Sequence, residues 1–579
     1  MEKKQRDILL RKFNQYLIPS IITTLAMSLS EFADSLIVSN LLGNNAMAIV
    51  NMGAPIAFVM GAVYYSIGVG GSVLYANALG KREEQNANKI YTLSILFALF
   101  CGLLLMVLGL VFGNAITSVL CKTPELTGQA RGYVRMLMFS MPFLITIITL
   151  TNFLPAAGSP NLATAVNIIA NVLNCVLDVV FIKFFGFGVE GAALATAVSF
   201  CLSSLLMVGV ILMHKVHLKF ALVSFKDISM LLNVCKTGSY NAISQLGFAI
   251  KFTYCNAAAA TFGGAAGVVA MALCIQTLSI VNVFMTGVTQ TIIPLLSMLQ
   301  GQEDYRQIPR LFKRAAIFLA ICMAVCTGIF AIFPGIVTTL YSVTDPSTVV
   351  IGKIGIRIFA LCFIFRGLAI LFMGYVNVIG QGVYASFISL FDGPLGVIPI
   401  GMLLTSIFGL NGIWMTYPVD AILLVILILV ANFFIAKKSK GKYSFPFLLQ
   451  HETRNILIYE KSFVDDAQSV GTASKEVQQY CYMAGLSEHG SMVIGLAVEE
   501  MMVYVRNHAK DSETVDILLR ITDGDVTIDY RSIGAPFDPL TVTDTDSSEN
   551  VTLLNGIAKS IEYVYIMGMN STKIHLSRE

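Results

Sequence analysis

Residues 161–183 read NLATAVNIIANVLNCVLDVVFIK, and this stretch governs how the rest of the chain is interpreted. It is apolar and long enough to cross a bilayer as a helix, which takes about 20 such residues. Four polar side chains nevertheless lie within it, at Asn167, Asn171, Asn174 and Asp178. Their spacing places them on one helix face. A polar stripe that ends in a carboxylate is costly in hydrocarbon, so it is expected to face a cavity or another helix. The alternative is that the asparagines only join helices together.

The composition of the whole chain is that of a membrane protein with a soluble tail. Of its 579 residues, 56% are hydrophobic and 13% are charged, whereas soluble proteins carry roughly 25% charged residues. Residues 1–446 hold 28 Lys and Arg against 15 Asp and Glu, and residues 447–579 hold 10 against 20. We therefore expect a basic membrane domain followed by an acidic soluble domain. The 11 cysteines include no C-x-x-C pair and are interpreted as small buried apolar residues.

Apolar runs of about 20 or more residues predict twelve membrane-spanning helices. Their expected spans are 14–41, 53–79, 90–113, 133–156, 161–185, 190–213, 233–260, 267–299, 314–334, 354–378, 384–408 and 412–436. The predicted fold is an all-α polytopic membrane protein with two six-helix lobes. The N-lobe is assigned to residues 1–222, and the C-lobe with its basic linker to residues 223–446.

An internal repeat supports the two-lobed architecture. GNNAMAIVNMGAPIAFVMGAV from Gly43 resembles GGAAGVVAMALCIQTLSIVNV from Gly263. Each is followed by a Gly-rich helix and a charged loop, LGKREE at 79–84 and LQGQED at 299–304. Halves with the same order and the same loop sign indicate a parallel repeat, typical of a transporter with a central cleft.

Loop charges predict the orientation of the membrane domain. Basic residues are concentrated in the N-terminal segment, in the loops after the second, sixth and eighth helices, and in AKKSKGK after the twelfth. Because positive loops face the cytoplasm, both termini are expected on the cytoplasmic side of a bacterial plasma membrane. The apolar run after the basic N-terminus is too long for a cleaved signal peptide and is interpreted as a retained first helix.

Carboxylates inside the predicted spans are the leading functional candidates. Glu31 and Asp34 are three residues apart and share a helix face. With Asn171, Asn174 and Asp178 they form the candidate site for ion or substrate binding, and Asp34 and Asp178 are its strongest members. Clustered carboxylates can hold a proton near neutral pH, and Asp34, Asn174 and Asp178 can alternatively coordinate Na⁺. Three carboxylates in one lobe favour an organic cation as substrate.

The second half carries a different set of charges inside its spans. Lys251, Arg366, Asp392 and Asp420 lie in the seventh, tenth, eleventh and twelfth predicted helices. Residues near helix ends can be merely interfacial, and this alternative applies best to Glu31, Lys251 and Asp420. Lys251 is also available to neutralise one of the N-lobe carboxylates, and the roles of Arg366 and Asp392 are left open.

Three segments resemble the multidrug and toxic compound extrusion (MATE) family: FADSLIVSNLLG, AAGSPNLATAVNIIANVLNCVLDVVFI and GVEGAALATAVS. The likeness covers roughly residues 10–436. It implies twelve helices in two lobes and export of organic cations driven by protons or Na⁺. The family's N-lobe residues correspond to Asp34, Asn174 and Asp178. The second half departs from the family, because Lys251 lies in the helix where one branch carries an acidic residue.

From residue 455 the pattern changes to that of a small two-layer α/β domain at residues 447–579. ILIYEKSFV indicates a strand, and two amphipathic helices follow, the second capped by Ser487. TVDILLRITDGDVTIDYRSIG indicates a hairpin. IAKSIEYVYIMGMN is expected to be a last helix and STKIHLS a last strand.

The tail resembles the GHKL-type ATP-binding domain of anti-sigma-factor serine kinases, in GLAVEEMMVYVRNHA and IGAPFDP. That family needs a helix Glu, an Asn four residues on for Mg²⁺, an Asp that reads adenine, and a Gly-rich lid. Glu500 and Gly534 are kept. Tyr504 replaces the Asn, Ser532 replaces the Asp, and the lid is reduced to LLNGI around Gly556. Neither replacement supplies the required ligand, so the site is interpreted as degenerate and without kinase activity.

Three functions are compatible with these patterns. The first is an antiporter that exports organic cations, with a regulatory tail that binds a cytoplasmic protein or docks on the basic rim Lys437, Lys438, Lys440 and Lys442. The second is a lipid or oligosaccharide flippase, which would need more inward-facing basic residues. The third is a membrane-tethered serine kinase, against which the lost Mg²⁺ and adenine residues argue. No cofactor and no nucleic acid partner are expected.

Overall fold

The structure is a computed structural model in which a helical membrane domain is followed by a small α/β tail. It describes the chain except residues 1–7, 44, 45, 47, 48, 51, 122–125, 214–217, 342, 344, 451–455, 509–513, 523, 540–547 and 579. The side chains at positions 31, 35, 212, 225, 508 and 548–551 also lie outside the description.

The first half of the membrane domain is built from long helices. In chain order they are α1 Ile8–Leu42, α2 Ala54–Gly80, α3 Glu84–Leu120, α4 Thr127–Phe139, α5 Met141–Ala156, α6 Pro160–Val179 and α7 Gly188–Leu212. Helices α4 and α5 form one broken span with a bend of 44°. A π-helical turn at Val180–Phe184 extends α6.

The second half repeats this architecture after a short 3₁₀ turn at Phe225–Asp227. Its helices are α8 Ile228–Gly301, α9 Gln307–Ile332, α10 Gly335–Leu340, α11 Pro346–Ala360, α12 Phe363–Val378, α13 Gly382–Leu390, α14 Gly396–Phe408 and α15 Leu410–Lys438. Helices α11 and α12 are bent by 46° at their junction. A π-helical turn at Phe391–Leu395 joins α13 to α14.

The described helices confirm a polytopic membrane protein. Nine of them are long and apolar enough to cross a membrane, or up to 11 spans if each bent pair counts as one. The 74-residue helix α8 has non-helical backbone at Gly264 (φ 57°, ψ −148°), where it changes direction. It therefore covers the two runs predicted at 233–260 and 267–299. The exact count of twelve stays a prediction.

The two lobes meet along α2 and α8, and glycines allow the close approach. A Cβ at Gly70 would collide with the carbonyl of Val234. Further along the same two helices, Gly80 and Gly301 lie against each other, with a Cβ on Gly80 3.0 Å from the Cα of Gly301. These contacts close the lobes together on the side of the membrane domain that faces the tail, which we call the tail side.

The tail is built on a five-stranded antiparallel sheet in the order β3-β4-β5-β7-β6. Its elements are β3 Leu457–Val464, α16 Ala467–Met483, α17 Glu488–His508, β4 Thr514–Ile521, β5 Asp525–Ile533, α18 Ser548–Ile557, β6 Ala558–Ile566 and β7 Met569–Ser577. Helices α16 and α17 pack on one face of the sheet around a core that includes Val477, Val498 and Ile528.

The sequence prediction of a last helix over IAKSIEYVYIMGMN is wrong. Most of that segment is strand β6, which pairs with β7 as a hairpin through Met567 and Gly568. Apolar residues lie on both faces of β6, because one face packs toward the tail helices and the other toward the membrane domain. The alternation of polar and apolar residues that is expected along a half-buried strand is therefore weak in β6.

The linker between the two domains is ordered against the C-lobe. A small hairpin of β1 Tyr443–Ser444 and β2 Leu449–Gln450 follows α15. The hydroxyl of Tyr375 donates to the carbonyl of Leu448 at 3.0 Å, and Asn432 Nδ2 donates to the carbonyl of Pro446 at 2.7 Å. The chain therefore leaves the membrane domain in a fixed direction.

Candidate functional site

Helices α1 and α6 pack together and place Asp34 and Asp178 close enough to interact electrostatically. Asp34 is partly exposed, whereas Asp178 is 2% exposed and lies just before the π-helical turn that ends α6. Two carboxylates this close together repel each other when both are ionised. The pair is therefore suited to binding one proton or one cation between them.

Asn174 links this pair to the neighbouring helix α7. With its amide nitrogen turned toward Asp34, the side chain donates to Oδ2 at 3.0 Å and Oδ1 at 3.2 Å. In the same orientation its oxygen accepts from the backbone N–H of Thr196 at 3.2 Å. This orientation satisfies both ends of a buried amide and is the one we adopt.

Three further residues belong to this site that the sequence analysis did not name. Cys175 Sγ donates to Asp34 Oδ1 at 3.5 Å, and Tyr133 lies close enough to both carboxylates to interact electrostatically. Thr196 contributes the backbone N–H described above. Cys175 and Thr196 lie within segments that carried the family resemblance. Tyr133 comes from α4, and its position gave no local signal.

The other predicted members of the site are placed apart from it or are not described. The side chain of Glu31 lies outside the described residues, so its role stays a prediction. Asn171 Nδ2 is buried without a hydrogen-bond partner among the described residues. Asn167 donates to the carbonyl of Ala163 at 2.8 Å and lines a small cavity of about 80 Å³. The polar face of α6 thus divides into a carboxylate site and a cavity wall.

The C-lobe holds a second charge cluster, centred on Asp392 in the π-helical turn. Arg366 donates to Asp392 Oδ1 at 2.7 Å. Lys251 Nζ lies 3.3 Å from Asp392 Oδ2 and donates to the Asp392 carbonyl at 2.6 Å. The non-helical backbone of Gly393 (φ −93°, ψ −126°) frees that carbonyl to accept this bond. Lys251 thus pairs within the C-lobe and does not neutralise an N-lobe carboxylate.

The side chains of Lys251 and Asp420 are buried within the protein, at 1% and 2% exposure, and the interfacial alternative for them stays a hypothesis. Asp420 lies close enough to Asp392, Lys251 and Arg366 to interact with them electrostatically. Its carboxylate packs against Gly396, where any larger side chain would collide with it. The cluster contains two cations and two carboxylates and is therefore neutral when all four are ionised.

A cavity of about 410 Å³ lies between the lobes on the far side of the glycine contacts. Its N-lobe wall is formed by α2 and its C-lobe wall by α8, α12 and the turn that carries Asp392. Its lining combines aromatic rings, amides and the ion pair, including Phe58, Tyr65, Phe248, Gln245, Arg366 and Asp392. Both lobes therefore contribute to the lining of this cavity.

In the tail, the residues at the nucleotide-site positions form part of a packed core. Tyr504 is 1% exposed, and its ring lies 5.8 Å from that of Phe537. Burial raises the pKa of Tyr504 to about 12, so its hydroxyl stays neutral. Ser532 is buried in β5 opposite Asn570 of β7. Neither offers an anionic oxygen to a metal or an adenine amine.

The three remaining positions that the resemblance assigned to a nucleotide site are Glu500, Gly534 and Gly556, and no group of three or more His, Cys, Asp or Glu side chains that could hold a metal ion occurs among the residues that the structure describes. Glu500 lies half-buried in α17, and Gly534 follows β5 with φ 153°. Gly556 lies exposed in α18, which has no glycine-rich lid around it within the described residues.

Comparison with known proteins agrees with the fold of the membrane domain. Residues 19–180 match the family model described as MatE. The multidrug export protein MepA of Staphylococcus haemolyticus is 24% identical over 372 residues, which cover 64% of this chain and 81% of the relative. MepA of Staphylococcus aureus strain NCTC 8325 is 21% identical over 404 residues, covering 68% and 87%.

Solved structures show the same likeness. An outward-facing multidrug resistance MATE family transporter of the MOP superfamily superposes with a TM-score of 0.69 at 20% identity, covering 75% of this chain and 98% of that one. A MOP superfamily transporter from Pyrococcus furiosus, described as having a binding pocket of reverse polarity, gives a TM-score of 0.69 at 20% identity, with 75% and 97% coverage. The chain is therefore a multi-pass membrane protein whose membrane domain has the MATE fold.

Proposed function

We propose that this chain, with its MATE-fold membrane domain, is a cation-coupled antiporter of a bacterial plasma membrane. Two six-helix lobes, twelve helices in all, export organic cations by alternating access, and the tail regulates them. The observation that carries the proposal is the buried contact between Asp34 and Asp178, held in place by Asn174. Intramembrane carboxylates that face each other are the elements of a coupling-ion site.

The geometry favours a proton over Na⁺ as the coupling ion. A proton needs only the two facing carboxylates, Asp34 and Asp178. A Na⁺ ion would also need neutral oxygens around it. In the orientation adopted for Asn174, the amide nitrogen faces Asp34 and the oxygen accepts from Thr196. That amide therefore offers a donor, and not an oxygen, toward the carboxylates.

The inter-lobe cavity favours a cationic substrate with an aromatic or hydrophobic body. Aromatic rings such as Phe58, Tyr65 and Phe248 line it, and ring faces attract organic cations. The two cations of the C-lobe charge cluster, Lys251 and Arg366, are both engaged by Asp392. They are therefore not free to bind the phosphate of a lipid, which weakens the flippase alternative.

The tail is proposed to regulate transport without turning over ATP. Its sheet and helices form a complete core, while Tyr504 and Ser532 occupy the positions where metal and adenine ligands would be needed. Contacts with the membrane domain, described below, join it to both lobes. A regulatory role through docking therefore fits the structure better than catalysis.

The test is uptake of a fluorescent lipophilic cation into inverted membrane vesicles under an imposed proton or Na⁺ gradient. Asp178→Asn keeps the shape and removes the charge, so it is expected to abolish gradient-driven uptake while protein levels stay normal. Glu84→Gln is the matched control, because Glu84 forms an exposed ion pair with Lys219 at 3.0 Å. Uptake at the wild-type rate by Asp178→Asn would refute the site. Uptake of an anionic dye instead would refute the substrate class.

A further inference from the structure

We propose that the tail is a brace: strand β5 holds the two repeat-related loops of the N-lobe and C-lobe together, so the lobes cannot separate on the tail side while the tail is docked. This inference rests on the proposed alternating-access function and specifies how the tail regulates it. The face of the tail sheet that α16 and α17 leave uncovered has one partner in this proposal, namely the membrane domain of the same chain.

The two loops occupy equivalent places in the internal repeat. Arg82 lies in the loop between α2 and α3, and Glu303 lies in the loop between α8 and α9. Both adopt the left-handed backbone conformation that side chains seldom take, with φ 64° and 55°. The helices that lead into them touch through Gly80 and Gly301. The loops are therefore matched in shape and lie side by side at the junction of the lobes.

Strand β5 carries one acidic and one basic residue, and each pairs with a loop residue of opposite charge. Arg82 donates to Asp529 Oδ1 at 2.7 Å, which ties β5 to the N-lobe. Arg531 donates to Asp304 Oδ2 at 2.7 Å, which ties it to the C-lobe. Asp529 and Arg531 are two residues apart and lie on the same face of the strand. The four side chains are 3–8% exposed, so these are buried interdomain ion pairs.

A third arginine connects the two ends of this arrangement. Arg520 of β4 donates to Asp529 Oδ2 at 2.8 Å and to the backbone carbonyl of Gln302 at 3.2 Å. Burial alone would raise the pKa of Asp529, but the charges of Arg82 and Arg520 outweigh it and hold that pKa below its usual range. The carboxylate thus stays ionised at the centre of a network that reaches both lobes.

Contacts away from β5 extend the interface over both lobes. On the N-lobe, Lys12 Nζ donates to the carbonyl of Gly568 at 3.1 Å. The backbone of Gly568 also packs so closely on Gly158 that a Cβ at position 158 would collide with it. On the C-lobe, Glu460 of β3 accepts from Gln307, and from Arg310 at 3.1 Å. Because one continuous sheet makes all these contacts, the lobes cannot separate on the tail side without breaking either the contacts to the N-lobe or those to the C-lobe.

Loss of one buried ion pair at this interface is expected to have a strong effect. Removing one partner of a buried ion pair leaves the other charge desolvated and uncompensated. The loop-side variants Asp304→Asn and Arg82→Gln remove one pair each and leave the tail's own sheet and core untouched. Asp525→Asn is the matched control, because its pair with Lys559 at 2.6 Å is exposed and lies within the tail.

The experiment is hydrogen exchange of the purified full-length chain, followed by mass spectrometry on peptides that cover both loops. Each loop-side variant is expected to speed exchange on the order of 100-fold in the loops of both lobes, because the brace fails as a unit. Asp525→Asn is expected to exchange like the wild type. Transport of the fluorescent cation, measured in parallel, is expected to change in rate with both loop-side variants.

Two results would overturn the brace. One is faster exchange confined to the altered loop, which would mean that the tail does not join the lobes. The other is unchanged exchange in both variants. If the wild type moves no cation under any gradient, the proposed function fails, but the exchange data still decide whether the tail holds the loops together.

Discussion

The charge cluster of the C-lobe makes a prediction about stability that depends on which partner is removed. Asp392 is the shared acceptor of Lys251, which is 1% exposed, and of Arg366. Asp392→Asn would leave two buried cations with only Asp420 nearby to compensate them. Breaking a buried ion pair in this way costs about 3–5 kcal/mol. Lys251→Met replaces the cation by an apolar side chain of similar length and leaves the pair between Arg366 and Asp392 intact. Asp420 then loses a compensating cation, but a carboxylate can neutralise itself by binding a proton, whereas the guanidinium of Arg366 cannot lose one, so the expected cost is below that of Asp392→Asn.

The assay uses the single tryptophan of the chain. Trp414 lies fully buried in α15 of the same lobe, so its emission reports unfolding there. Thermal unfolding in detergent is expected to show a large drop in the midpoint for Asp392→Asn and a smaller one for Lys251→Met. The exposed pair of Lys219 and Glu84 provides the control, since Glu84→Gln should shift the midpoint little. Equal losses in the two C-lobe variants, or a larger loss in Lys251→Met, would refute the reasoning.

Three further outcomes follow from the structure. Docking of the tail should weaken in acid, because the pKa of Asp529 is lowered in the docked state. The stability that this carboxylate contributes is present above the ordinary carboxyl pKa of about 4 and is lost as the pH falls through the lowered pKa. Hydrogen exchange across β5 measures this, and protection that does not change with pH would contradict it. Calorimetry of the full chain with Mg-ATP should show weak binding or none, and no Mg²⁺-dependent hydrolysis should be measurable, because the buried Tyr504 stands where the resemblance to ATP-binding domains places the metal ligand. Micromolar affinity with turnover would overturn this. Gly70→Val should force α2 away from the carbonyl of Val234 and lower the thermal midpoint more than Gly209→Val, since a Cβ at Gly209 meets open space; equal midpoints would show that the close helix contact is unimportant.

The carboxylate site was within reach of sequence reasoning because its pattern is local. Asn174 and Asp178 are four residues apart in one helix, and helical periodicity alone places them on one face. Their contact with Asp34 came from the family resemblance, since nothing in the spacing of α1 and α6 specifies which faces meet. Tyr133 was missed for the same reason, because it reaches the site from a different helix.

Long-range pairing could not be predicted from the sequence. The bond between Lys251 and Asp392 joins residues 141 positions apart, and that between Arg82 and Asp529 joins residues 447 apart. Docking of the tail on the basic rim Lys437, Lys438, Lys440 and Lys442 was one alternative from the sequence, beside binding of a cytoplasmic protein. The ion pairs that the structure describes between tail and membrane domain join β3, β5 and β6 to the loops that follow α2 and α8, and to the start of α9. The opposite net charges of the tail and the membrane domain predicted that the two attract each other, but they did not indicate which residues meet.

Strand β6 shows a second limit. Its segment contains Ile561, Tyr563, Val564 and Ile566, and such β-branched and aromatic residues favour strands. Because both of its faces are covered, the polar and apolar alternation that marks a half-exposed strand is weak. Only the packing of the tail against the membrane domain explains why both faces are apolar.

The central claim is that the buried contact between Asp34 and Asp178 couples cation export to an ion. The most direct measurement is simultaneous recording of proton and dye flux in proteoliposomes that contain the purified chain. The account predicts that dye movement in the wild type is matched by proton movement in the opposite direction, and that Asp178→Asn and Asp34→Asn abolish both fluxes. Undiminished, proton-coupled dye transport in both variants would contradict it.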